Sequence, residues 1–190
     1  MSELDFCSRY FPKDTYIITI SGTDGKSTVT WMIYNLIKNI KNPEKVHISG
    51  NFEYPLSDTL TQILKLPPDE REDHIIVVEV SSFMAYSLME FSPDMTIITN
   101  LESDHLNWHR NLAEYFLSKA NLITRAKDSS FITNQVHTKL QEIGYHFPEN
   151  ISLYGLGVQE HYPTISIDTE RSIDIRETHF LGVHNAVNID

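Results

Sequence analysis

Residues 16–28 read Tyr16-Ile17-Ile18-Thr19-Ile20-Ser21-Gly22-Thr23-Asp24-Gly25-Lys26-Ser27-Thr28, and they decide the fold. The first five form a β-branched run, the composition of a buried strand. Ser21-Gly22 ends it, and behind Lys26 an apolar series begins: Val29, Met32, Ile33, Leu36, Ile37 and Ile40. That spacing follows one face of a helix. Between strand and helix lies what a polyphosphate needs: glycines that admit a close approach, backbone amides, and a helix N-terminus with its dipole. Lys26 supplies charge for the outer phosphates and Ser27 a hydroxyl for magnesium. The literal pattern for such loops has a further glycine five residues before Gly25, where this chain has Ile20, so Gly22 must shape the loop alone. The competing reading is a structural turn carrying a surface lysine.

Further along, strand-like and helix-like segments alternate. Val46-His47-Ile48, Ile75-Ile76-Val77-Val78, Met95-Thr96-Ile97-Ile98, Ser130-Phe131-Ile132-Thr133 and a segment near Ile151 read as strands. Helices are expected over 56–66, closed by Pro67-Pro68, over about 112–126, and over about 136–143. Runs apolar on both faces, alternating with helices, predict an α/β fold with a doubly wound, mainly parallel sheet. Ile165-Ser166-Ile167 and Ile173-Asp174-Ile175 alternate around a charged turn, which predicts a small antiparallel hairpin on the sheet edge. Residues 182–190 read as a loop entering a helix that stops after two turns.

Composition excludes several classes. Basic residues number 15 against 26 acidic, a net charge of −11, and the Lys and Arg are scattered, which argues against a nucleic-acid partner. Gly and Pro make up only 15 of 190 residues, so disordered and fibrous classes are excluded. Cys7 stands alone, as suits a reducing compartment. No apolar run approaches the ~20 residues of a membrane span, and the polar start is no signal peptide. The expectation is a cytoplasmic globular domain without a membrane or nucleic-acid partner, and a monomer.

Three features fall where strands should end, at the edge where open α/β sheets bind ligands. Glu79 follows the third strand and could hold magnesium beside the loop; a solvated strand end is the alternative. Asn100-Leu101-Glu102-Ser103-Asp104-His105-Leu106-Asn107-Trp108-His109 follows the fourth. On a helix His105 and His109 would share a face and could bind zinc, but no third ligand or Glu-His base pattern follows, which speaks against a zinc hydrolase. A histidine serving a second magnesium, or a capping Asp104 with surface histidines, remain. Lys119 falls inside the apolar stripe Leu112, Phe116 and Ile123. Either it snorkels to the surface, or burial lowers its pKa and leaves a neutral amine able to form a carbamate with carbon dioxide.

Together these motifs resemble the central ATP-binding domain of the Mur ligases, the ATP-dependent amino-acid ligases of peptidoglycan synthesis, from about Ile17 to Asp190. Gly22–Thr28 resembles the family's Gly-Thr-x-Gly-Lys-[Ser/Thr]-[Ser/Thr] loop, and Asn100–His109 its Asn-x-x-x-Asp-His-x-Asp-x-His stretch. Tyr115-Phe116-Leu117-Ser118-Lys119 is similar to the segment whose lysine is carbamylated. Gly182-Val183-His184-Asn185-Ala186-Val187-Asn188 is similar to a segment near the adenine, and Gly50-Asn51 with Pro55-Leu56 to an element touching the uridine-linked substrate. Glu79-Val80-Ser81-Ser82-Phe83 resembles the D-glutamate-adding branch.

The resemblance implies that Gly22, Thr23, Asp24, Gly25, Lys26, Ser27 and Thr28 hold the ATP phosphates, with Asn185 and Asn188 at the nucleotide. It implies one Mg2+ at Ser27 and Glu79, a second at His105 and a carbamate on Lys119, and UDP-N-acetylmuramoyl-L-alanine touching Asn51 and Ser81. Lys26, Lys119 and His105 would serve catalysis of D-glutamate addition through an acyl phosphate. Asn107 stands in place of the family's aspartate, and Glu53 in place of a glycine. By the same resemblance residues 1–190 are the central domain without the N-terminal uridine-nucleotide domain or the C-terminal domain. A folate polyglutamate ligase shares the loop and the lysine, and a nucleotide-binding switch or kinase module is the reading from another class.

Overall fold

The computed structural model describes residues 1–51 and 54–155, with two short strands at 164–166 and 172–174. Six strands form one sheet: β1 (Tyr16–Ser21), β2 (Val46–Gly50), β3 (Ile75–Glu79), β4 (Met95–Ile98), β5 (Ser129–Thr133) and β6 (Ile151–Tyr154). Every pairing among them is parallel, in the order β2-β3-β1-β4-β5-β6. The expected doubly wound sheet is therefore present. From β1 the chain moves to β2 on one side, returns to β3, and then crosses to β4 on the other side of β1. The loops leaving β1, β3 and β4 accordingly meet at the carboxyl edge, at the switch in strand order.

Alternation along the central strands sorts the core into two faces. Ile17, Ile76 and Val78 pack against Leu56, Leu60 and Ile63 of α3 (Leu56–Lys65), and against Leu4 and Cys7 of α1 (Glu3–Ser8). Ile18, Ile20 and Val77 turn the other way, to Val29, Ile33 and Ile37 of α2 (Lys26–Ile40). A third cluster joins Ile98 and Ile132 to Phe116 and Ile123 of α5 (Leu112–Arg125) and to Val136 and Leu140 of α6 (Asn134–Glu142). Among the described residues no helix is long and apolar enough to cross a membrane.

Two short helices escape the periodicity argument, α1 and α4 (Ser82–Tyr86). Both are held by caps rather than by a long apolar stripe. Ser2 and Asp5 form a reciprocal capping box on α1, and the buried Asp5 carboxylate also accepts the amides of Met89, Glu90 and Phe91. Those bonds to the charged form outweigh burial and hold Asp5 far below the usual carboxylate range.

Several expectations are corrected. Leu36 and Ile40 continue the α2 series in sequence, yet both are exposed. The helix is about 22 Å long and a five-residue strand about 17 Å, so Ile40 in its last turn overhangs the sheet, whereas Leu36 is turned aside from the packed Val29, Ile33 and Ile37. Leu112 is likewise exposed, at the first position of α5. The strands Thr164–Ser166 (β7) and Ser172–Asp174 (β8) pair antiparallel as a separate two-stranded sheet, so the expected addition to the edge of the large sheet is not found among the described residues. Residues 182–190 lie outside the described residues.

Candidate nucleotide site

The loop after β1 turns at Gly22, whose φ is +142°. A side chain there would collide with Thr99 Oγ1 and lie 3.2 Å from the Asn100 amide, so the loop presses on the end of β4. Helix α2 starts at Lys26, and its first intrahelical bond runs from Val29 N–H to Gly25 O at 2.9 Å. The amides from Gly25 to Thr28 therefore lack intrahelical acceptors, as at every helix start, and the dipole there favours an anion. Lys26 Nζ donates to Thr23 O at 2.8 Å, folded over the loop it would serve.

Glu79 closes the next strand and is buried. Ser27 Oγ donates to its Oε2 at 2.7 Å, and Asn51 Nδ2 to its Oε1 at 3.0 Å. Asn51 reaches it because Gly50 crosses directly over the Glu79 carbonyl, where a Cβ would clash, and Asn51 N–H donates to that carbonyl at 2.8 Å. The Ser27 hydroxyl spends its proton on Glu79 and keeps its lone pairs. Hydroxyl and carboxylate oxygens suit Mg2+, which takes its remaining ligands from phosphate and water. Among the described residues no group of three or more His, Cys, Asp or Glu side chains is placed to hold a metal by itself.

Lys119 is the polar side chain that the stripe on α5 could not place by periodicity alone. It is 2% exposed, and its Nζ donates to Gly22 O at 2.6 Å, with the Tyr115 ring 4.8 Å away. Burial, reinforced by the Lys26 charge, lowers its pKa from 10.5 to about 7, against the opposing pull of Asp104, Glu79 and Asp24. A substantial fraction is thus a neutral amine near neutral pH.

The two histidines do not share a helix face, because residues 100–111 form turns rather than a helix. His105 is exposed, with a left-handed φ of +52°, 3.4 Å from Asp104 and with its ring beside Phe83 and Tyr115. His109 is buried instead: Nε2 meets Ser82 Oγ at 3.0 Å, Nδ1 makes no hydrogen bond and lies 4.0 Å from the Glu114 carboxylate, and desolvation lowers its pKa against the pull of Glu114. Zinc binding by this pair is thereby set aside. Ser81 caps α4 by accepting the Met84 amide at 3.3 Å. Glu53, Asn185 and Asn188 lie outside the described residues.

Thr99 was not among the candidates read from sequence, and Asn100, which opens the stretch to His109, was given no role there. Thr99 Oγ1 donates to Asp24 O at 2.6 Å, and the Asn100 side chain bonds Thr23 and Asp24. Tyr115 also reaches the loop, its hydroxyl 3.1 Å from Thr23 Oγ1.

An open parallel sheet with a glycine-lysine-serine loop on its first strand, and a carboxylate on the adjacent strand bonded to that serine, defines a nucleotide-binding α/β protein of the phosphate-loop class. Within that class the chain belongs to the Mur ligase middle domain family, which matches residues 20–189. It is similar to the UDP-N-acetylmuramoylalanine–D-glutamate ligase of Clostridium kluyveri, with 29% identity over 99% of this chain and 40% of that protein. The chain thus spans about 40% of the length of such curated relatives. Among solved structures it resembles the UDP-N-acetylmuramate:L-alanyl-gamma-D-glutamyl-meso-diaminopimelate ligase from Neisseria meningitides, with 14% identity, a TM-score of 0.57, and coverage of 97% of this chain and 62% of that one. It also resembles the MurF ligase from Thermotoga maritima in complex with ADP, with 18% identity, a TM-score of 0.52, and coverage of 80% and 34%. At such identities the structural likeness concerns the fold.

Proposed function

We propose that this chain is the ATP-binding core of an ATP-dependent carboxylate–amine ligase that adds D-glutamate to UDP-N-acetylmuramoyl-L-alanine in cytoplasmic peptidoglycan synthesis. In the whole enzyme it is the central domain, and the uridine-nucleotide-binding and C-terminal domains lie in the remaining length of the relatives. The observation that carries the reading is the convergence on one loop of Lys26, the Ser27–Glu79 pair and the buried amine of Lys119.

The roles follow from chemistry. Lys26 and the amides of Gly25–Thr28 neutralise the β- and γ-phosphates, leaving the γ-phosphorus open to in-line attack. The acceptor carboxylate oxygen attacks that phosphorus, the bond to the β-phosphate oxygen breaks, and ADP leaves. The resulting acyl phosphate is then attacked by the D-glutamate amine; inorganic phosphate departs and the nitrogen loses a proton. Ser27 and Glu79 would hold one Mg2+, and His105 with Lys119, the latter as a carbamate, would hold a second; such ions would supply charge neutralisation on the transferring phosphoryl group. Asn51 and Ser81 would contact the uridine-linked substrate, and Asn185 and Asn188, outside the described residues, would serve the nucleotide.

The test is ADP release by the full-length gene product. Release should require UDP-N-acetylmuramoyl-L-alanine and D-glutamate together, and Lys26→Ala should lower it by at least about a hundredfold, the scale of removing a preorganised charge. Turnover with a pteroyl glutamate and L-glutamate instead would assign the chain to the folate branch. ATP hydrolysis independent of any acceptor would refute ligation.

A further inference from the structure

We propose that Asn100 is a positioning residue for the phosphate loop, its carboxamide bracing the loop from the end of β4. The proposal rests on the nucleotide-binding reading above and assigns a function to a side chain outside the loop itself.

Loops of this kind bind polyphosphate only if their amides are already aimed, because ordering a glycine-bearing loop at the moment of binding costs affinity. The loop here is short, with Ile20 buried in β1 where the longer pattern has glycine. Asn100, half-buried just past the end of β4, braces it from 77 and 76 residues away. Its Oδ1 accepts Thr23 N–H at 3.2 Å and Asp24 N–H at 2.8 Å, while its Nδ2 donates to Asp24 O at 3.1 Å. Its own carbonyl accepts Thr23 N–H at 3.0 Å.

Donor and acceptor are both used, so the loop is fixed in direction as well as in place. The amides of Thr23 and Asp24 are turned towards β4, and those from Gly25 onward are left for the ligand. The brace also ties the loop to the segment carrying Asp104 and His105. Glu102 N–H donates to Thr23 Oγ1 at 2.8 Å, which joins the loop to that segment.

An alanine at 100 removes all three side-chain bonds; an aspartate keeps the acceptor, loses the donor to Asp24 O, and adds a charge beside the phosphates. The experiment is a calorimetric titration of the full-length protein with Mg-ATP, magnesium tripolyphosphate and adenosine, for the unaltered chain, Asn100→Ala, Asn100→Asp and Lys26→Ala. Asn100→Ala should weaken Mg-ATP and tripolyphosphate by the same factor, about tenfold or more, and leave adenosine unchanged. Asn100→Asp should bind both phosphates more weakly than the unaltered chain, with the deficit growing as salt is lowered. Unaltered phosphate affinity in Asn100→Ala would overturn the proposal while Lys26→Ala still loses binding. Equal loss of adenosine would overturn it too, by reducing Asn100 to a stabiliser of the fold. If the unaltered chain binds no Mg-ATP, the nucleotide reading itself fails, and the brace with it.

Discussion

Gly22→Ala is expected to cost about 4 kcal/mol of folding stability and to abolish nucleotide binding, although it adds a single methyl group. Two costs coincide. The backbone at φ +142° lies where side chains are strained, about 1–3 kcal/mol, and the new Cβ would meet Thr99 Oγ1 and the Asn100 backbone, about 1–3 kcal/mol of overpacking. Thr99 cannot yield freely, because its hydroxyl is engaged with Asp24 O. Gly144→Ala separates the two terms. Gly144 also has a positive φ, +77°, but nothing lies within 4 Å of a Cβ there. That variant should lose only the conformational part, about 1 kcal/mol. Urea unfolding of both variants measures the difference. Similar midpoints would mean that the loop does not press on β4 as described.

The second large effect is a pH dependence. The Lys119 pKa falls from 10.5 to about 7 in the folded chain, so between those values the unfolded chain holds the extra proton. Stability therefore rises with pH across that window, by ~1.4 kcal/mol per unit, and the full penalty of the buried charge stands below pH 7. Lys119→Met has no such slope. In carbonate-free buffer the stability of the unaltered chain relative to Lys119→Met should climb by roughly 4 kcal/mol between pH 7 and pH 10. Parallel curves would mean a solvated lysine. The same neutral amine is the species that adds to carbon dioxide. In carbon-13 bicarbonate the full-length protein should show a carbamate carbon signal that Lys119→Met lacks.

What could be read in advance follows from which forces are local. The β1–loop–α2 unit was legible because strand composition, glycine placement and helix periodicity all lie within one short stretch. Glu79 was legible because a buried strand in a parallel sheet must end at the ligand edge. Lys119 announced itself as a charge in an apolar stripe, but only the packing of α5 against Gly22 decides its burial. The bracing by Asn100 was not legible, since it depends on which loops the strand order brings together. The histidines misled because spacing of four means proximity only on a helix, and residues 100–111 turn instead, exposing His105 and burying His109. Ile40 misled for another reason: periodicity fixes a face, not how far the sheet beneath it extends; Leu36 fits the periodicity but lies at the margin of the packed face, beside Ile33 and Ile37.

The most direct test of the central claim is a calorimetric titration of the full-length protein with Mg-ATP, beside Lys26→Ala. Saturable binding by the unaltered chain, lost in the variant, is the expected result. Equal binding by both proteins, or none by either, would contradict a phosphate site built on residues 22–28.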